Sequence, residues 1–359
     1  MNLYFFQIPI KNISKMHLIS CLKVNLIPRA SNLINYSKSF PLKGSYRNFR
    51  KNASREGGMN LAPKVNTDHS HYDQKFSTFM KCFTFTAGFC GTTFIGASIW
   101  HYENIKSHLK EKNVSDWIKT KWNEMEGYQH KQGDFRKSLN KYWNDIPEGR
   151  KIFWTIFMAN FVVFVCWRIP ILQSSMMRYF TSSPAAKIVC WPMLLSTFSH
   201  YSTLHLVMNM YVLHSFSGAI GNSLGKEQFV GFYLAGGVFS SFLSQFFKLM
   251  TNSIGPSLGA SGAIMALLGY FCTKHPDAQL GVIFLPNYPF SAELALKGVM
   301  LMDLSGLIFR WKLFDHAAHL GGAAFGLLYA KYGQSLFWEN RSSVTKVWED
   351  FNKYLERKR

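Results

Sequence analysis

The sequence is poor in what a disulfide or metal framework needs. Its six cysteines (Cys21, Cys82, Cys90, Cys166, Cys190 and Cys272) are scattered through 359 residues, without CxxC spacing and mostly in apolar surroundings. That distribution argues against a disulfide-stapled fold and against a zinc site. Acidic residues are scarce as well, 20 against 40 Lys and Arg, so the formal charge is +20. Between Met1 and Arg55 there is no Asp or Glu at all, while Lys11, Lys15, Lys23, Arg29, Lys38, Lys43, Arg47, Arg50, Lys51 and Arg55 are basic. No uninterrupted apolar core there ends in a small-residue cleavage site, which argues against a secretory signal. An acid-free, basic, Ser- and Asn-containing start is the pattern of a mitochondrial import presequence. A basic arm for nucleic acid or lipid is the competing reading; the import reading is taken here, with no nucleic-acid partner.

Long apolar runs are also few, yet apolar segments are many. Cys82–Trp100 is 19 residues without a charge and closes on a tryptophan suited to the membrane interface. Ile152–Trp167, Leu204–Ile220, Phe229–Phe247, Ser261–Cys272, Leu294–Phe309 and Ala317–Tyr329 follow. Several fall short of the roughly 20 residues that span hydrocarbon alone. Flanking Gly, Ser and Thr extend them, because small polar residues find partners inside a helix bundle. A soluble helical protein would have too little polar surface to cover these segments. The expected fold is therefore all-α, a polytopic membrane helix bundle. Residues 1–75 read as presequence and disordered basic tail, 76–101 as an extra transmembrane helix and 102–150 as a hydrophilic connector. Residues 151–334 read as a six-helix core, and 335–359 as a basic C-terminal tail.

Ionisable and polar groups inside spanning helices are costly, so each is a functional candidate. His205 and Asn209 lie four apart, on one helix face, with His200 in the approach to that helix. His316 and His319 open another helix, and Gly322 and Gly326 follow His319 at three and seven residues. Ser261 stands between Gly259 and Gly262, with Ala266 continuing the small-residue stripe. Such faces admit close backbone approach. If they pack together, Ser261 and His319 come to the same depth, a hydroxyl beside an imidazole, which is a nucleophile–base pair. No acidic residue is evident beyond the histidine, since Asp315 is too near the helix start, so the expectation is a two-member unit. His205, Asn209 and the Ser261 N–H would serve a developing oxyanion. Two histidines three apart also make half of a metal site, but further ligands are not evident.

GASGA around Ser261, HxxxN from His205 to Asn209 and HxxGxxxG from His319 to Gly326, in this order, resemble the rhomboid intramembrane serine proteases. The presequence, the extra first helix and the phrases GASGAIM and DHAAHLGGAAFG resemble the mitochondrial, presenilin-associated rhomboid-like type. The resemblance implies Ser261 as nucleophile, His319 as base, and His205 and Asn209 at the oxyanion, without metal or cofactor. It also implies that Lys187–His200 is a membrane-embedded loop. The expected location is the mitochondrial inner membrane, and the expected partners are the lipid bilayer and single-span membrane proteins as substrates. One departure stands out: many bacterial members carry a tyrosine four residues after the serine, stacked on the histidine, where this chain has Met265. Orientation of His319 must then come partly from elsewhere. The alternatives are an inactive relative that binds membrane segments, or a transporter or channel, which predicts internal repeats; no convincing repeat is present.

Overall fold

A computed structural model describes residues 67–123, 134–282, 285–312 and 314–358; the basic stretch 1–55 lies outside them. The helices in chain order are α1 (Thr67–Asn123), α2 (Asp134–Asp145), α3 (Glu148–Cys166), α4 (Gln173–Tyr179), α5 (Cys190–Leu195) and α6 (Thr203–Leu224). Then come α7 (Lys226–Thr251), α8 (Ser261–Lys274), α9 (Ala292–Ile308), α10 (His316–Leu328) and α11 (Ser342–Arg357). The all-α bundle is borne out: each of the six core apolar segments is the body of one helix, α3 and α6 to α10. Among the described residues three helices, α1 (over Tyr72–Glu111), α3 and α7, are long and apolar enough to cross a membrane by themselves.

The breaks follow local chemistry. Gly225, at φ +76°, reverses the chain between α6 and α7 in a single residue, a conformation that costs glycine no steric penalty. Ser291 caps α9 by accepting the Leu294 N–H (3.3 Å), and Asp315 caps α10 by accepting the Ala318 N–H (3.0 Å). Between α8 and α9 lies a two-stranded antiparallel hairpin, β1 (Gln279–Val282) and β2 (Leu285–Ser291), with Leu280 opposite Phe290. Apolar periodicity did not anticipate it.

Two expected boundaries look different in three dimensions. α1 does not end near residue 101 but continues to Asn123, because Tyr102–Asn123 contains no Gly or Pro to stop it. The C-terminal stretch is α11, an amphipathic helix reached through wide, π-type turns over Tyr329–Glu339.

α8 is the centre of the bundle. Ten of its 14 residues are buried, so this short helix, apolar all round, is enclosed by protein and not by lipid. It packs on α6, α7, α9 and α10. α3 lies against α6 where Gly149 meets the Ser217 carbonyl and Gly221. α1 lies along α7: the Phe79 ring stands 5.8 Å from Phe242 and 5.6 Å from Phe246. Farther along, Gly231 leaves room for Ala97, and buried Glu227 meets Asn104 and His101. Such contacts hold a bundle together in lipid through close packing and satisfied polar groups, since burial from water is not available there as a driving force.

Candidate functional site

Ser261 is the first residue of α8. The loop that delivers it is held from the Thr181–Tyr201 segment, which contains α5 and a turn at Ser196–Phe198. Ser182 and Ser257 exchange both backbone hydrogen bonds (2.8 and 2.9 Å), and the Gly259 N–H donates to the Ser196 carbonyl at 2.9 Å. The Ala260 N–H reaches Nε2 of fully buried His200 at 3.4 Å. The Lys187–His200 stretch is thus the wall against which the serine loop is built. His200, singled out from the sequence without a role, supports the residue just before Ser261.

Gly259 has φ +136°, where a side chain would be strained, and its missing Cβ is also filled by the His205 ring. Both requirements select glycine. They bring His205, from the start of α6, against the turn that presents Ser261. Asn209, one helical turn on, donates one amide hydrogen to the His205 carbonyl at 2.9 Å, which leaves the second for another acceptor.

His319 lies one turn into α10, and its Nε2 stands 2.8 Å from Ser261 Oγ. Glycine makes that distance attainable. A Cβ on Gly322 would collide with the Gly262 carbonyl and crowd Met265, and one on Gly326 would collide with the Ala266 carbonyl. α8 and α10 are therefore in backbone contact. Gly262 serves a different neighbour from the one its spacing suggested, since its missing Cβ makes room for Ser240 of α7. Gly269, which sequence spacing did not single out, continues the α8–α10 seam against the Ala323 carbonyl.

No acid was evident beyond the histidine from the sequence, but the structure places one there. Asp303 of α9, fully buried, places Oδ1 3.1 Å from His319 Nδ1 and 2.7 Å from His316 Nδ1. An ionised carboxylate only accepts, so in that state both Nδ1 atoms carry protons, and His319 Nε2 is left to accept the serine O–H. Asp303 was hidden because it lies 16 residues before His319, inside Leu294–Phe309, a segment read only as apolar. The signal was available: a lone acid within a spanning segment is a functional candidate by default.

Asp315 lies elsewhere than the His319 ring. Its carboxylate caps α10, accepts from Ser244 (2.5 Å) and Ser257, and pairs with Lys248 of α7 at 3.4 Å. The serine loop and the histidine helix are thereby tied to one carboxylate. His319 is faced by Phe314, with ring centroids 5.9 Å apart, and so receives an aromatic neighbour from its own side in place of the tyrosine absent at Met265. His316 and His319 converge on Asp303; among the described residues no group of three His, Cys, Asp or Glu could hold a metal ion.

Residues 188–335 match the family model described as Rhomboid domain. The chain is 51% identical over 273 residues to the presenilin-associated rhomboid-like protein, mitochondrial, of Bos taurus, covering 76% of this chain and 72% of that one. The Homo sapiens protein of the same description is 52% identical over 266 residues, 74% and 69% of the two chains. Rhomboid protein 1, mitochondrial, of Saccharomyces cerevisiae is 32% identical over 185 residues, 51% and 53% of the two.

Proposed function

This chain belongs to the rhomboid family in its presenilin-associated rhomboid-like branch, and on that premise we propose that it is a serine endopeptidase of the mitochondrial inner membrane. It cleaves single-span membrane proteins within or beside the span, with Ser261 as nucleophile and His319 as base. The observation that carries this reading is the 2.8 Å hydroxyl–imidazole contact within a membrane bundle. Its mitochondrial placement rests on the names of its relatives and on the acid-free basic stretch from Met1 to Arg55.

The chemistry follows from the positions. His319 Nε2 takes the Ser261 proton as Oγ adds to a peptide carbonyl, and returns it to the departing amine. The oxyanion forms over the start of α8, where the first N–H groups have no intrahelical acceptor and the helix dipole is positive. His205 and the free amide hydrogen of Asn209 add side-chain donors there. A water then adds to the acyl-serine with His319 again as base, releasing the carboxylate product and restoring the hydroxyl.

The substrate must come to Ser261 unwound. A membrane helix hides its carbonyls in its own hydrogen bonds, and opening it in lipid leaves backbone groups unsatisfied. Spans carrying Gly, Pro or Ser near one end are therefore favoured.

Treating the protein in liposomes with a fluorophosphonate probe tests the reading. One serine should be labelled, and peptide mapping should place the label on Ser261. A folded protein that takes no label would instead be a membrane-segment binder. The oxyanion assignment has its own measurement: His205→Ala or Asn209→Ala should lower kcat by about 10–1000-fold, the scale for losing one preorganised donor, with KM nearly unchanged.

A further inference from the structure

We infer that α11 (Ser342–Arg357) is a membrane-surface helix, lying in the headgroup layer with its apolar face turned to lipid. The serine chemistry plays no part in this, only the membrane bundle does.

Read as residues, 335–359 is a basic tail, yet within it apolar side chains recur at helical spacing: Val344, Val347, Trp348, Phe351, Tyr354 and Leu355. Lys346, Lys353 and Arg357 fall on the other side of the helix. An amphipathic helix of a globular protein buries its apolar stripe on the core. Here Val347, Phe351, Tyr354 and Leu355 are all exposed, Val347 by 71%. The protein contact belongs to a different face. Trp348 donates its indole N–H to Glu103 Oε1 of α1 at 2.7 Å, and the half-buried Thr345, Glu349 and Asn352 lie on that same side. At 3.6 residues per turn this side is about 100° round the helix from the exposed apolar stripe. α11 therefore has one face on α1, one charged face, and one apolar face that no protein covers.

Depth decides what covers it. Cys82–Trp100 is 19 residues without a charge, and at 1.5 Å per residue such a run matches the roughly 30 Å of hydrocarbon. Trp100, 44% exposed, marks the level at which that layer ends. The next turn of α1 carries polar partners, since His101 and Asn104 meet Glu227 at the start of α7. Glu103, which holds Trp348, is three residues past Trp100 and so about 4–5 Å farther out. The headgroup region is about 5–8 Å deep on each side, and Glu103 falls inside it. The chain reaches this level from within the membrane. Tyr329–Glu339 ends the last span with Tyr332, Leu336 and Phe337 exposed, and only Asn340 and Arg341 separate it from α11. The stripe on α11 thus continues a lipid-facing surface. Among the described residues α11 meets α1 near Glu103 and not along a shared length. It therefore crosses the spanning helix and runs along the membrane plane, the posture in which an interfacial helix sinks its apolar face into the boundary between headgroups and acyl chains. Another protein could cover that face only by displacing the lipid already at that depth.

Photocrosslinking tests this in the full chain. Val347→p-benzoylphenylalanine and Phe351→p-benzoylphenylalanine report on the apolar face, and Lys353→p-benzoylphenylalanine on the charged one. All three side chains are exposed, so none of the changes disturbs packing. The proteins are reconstituted in phosphatidylcholine–phosphatidylethanolamine liposomes, irradiated, digested and weighed. The α11 peptide of the first two variants should gain the mass of one phospholipid, while that of the Lys353 variant should stay largely unmodified. A covalent dimer from the Val347 or Phe351 variant would make this face a contact between copies of the chain, and the inference would fall. Equal lipid adducts at all three positions would show that the helix has no fixed orientation to the bilayer, and no adduct at any of them that the stripe faces water; either result overturns it.

Discussion

Ser261→Ala in liposomes should leave a single-span substrate uncut, with a loss of about 10⁴-fold or more, because a nucleophile and its base fail as one unit. His319→Ala should fail to the same degree. The two should not combine to anything worse, since either change alone ends the transfer from Oγ to Nε2. Neither loss should come from unfolding. Removing the Ser261 hydroxyl forfeits one hydrogen bond, about 1 kcal/mol net, against a seam built from glycine contacts along the whole of α10. His319→Ala costs more, since it also takes a donor from buried Asp303, but His316 still satisfies the same oxygen at 2.7 Å. Gel assay of product and a melting curve on the same preparation separate the two effects. Cutting by Ser261→Ala at more than a few per cent of the wild-type rate is incompatible with this nucleophile.

Gly322→Leu or Gly326→Leu should inactivate the protein as thoroughly without altering a reacting atom. At Gly322 the nearest atom to a Cβ is the Gly262 carbonyl oxygen, and at Gly326 it is the Ala266 carbonyl oxygen. Both obstacles are backbone, with no flexible side chain to move aside. A leucine therefore forces α10 away from α8, and the 2.8 Å serine–histidine contact opens beyond hydrogen-bond reach. Overpacking of this kind typically costs 1–3 kcal/mol in stability, and the effect on rate should exceed it, since displacement of about 1 Å can cost 100-fold. The expected signature is a folded, membrane-inserted variant that the fluorophosphonate no longer labels. Gly298→Ala makes a fair control, because nothing lies within 4 Å of its Cβ position. Normal cleavage by both leucine variants would show that the seam is not what sets the distance.

The pairing of Ser261 with His319 was legible because each residue carries its own steric signature. Glycines at three- and four-residue spacings state where another backbone comes close, and the two ionisable-or-nucleophilic groups begin those stripes. Asp303 carried no such signature. It stands alone among Leu301, Met302 and Leu304, and its partners belong to a different helix, so no spacing within one segment could link them. Lys248 and Ser257 were silent for the same reason: only the approach of α7, the serine loop and the α10 cap brings them to Asp315.

Apolar periodicity, the acid-free start and the glycine spacings, all local properties of the chain, were enough to determine a helical membrane bundle with six core helices and a serine–histidine pair within it. A helix's length and its tolerance for close neighbours are written in its own residues. Which helices become neighbours is not. The tertiary structure decided that α8 sits at the centre, that His200 props the serine loop, that Gly262 serves α7, and that a carboxylate from α9 stands behind His319. Each of these depends on how separate helices are rotated and placed, which the packing of all of them together settles and no single segment contains.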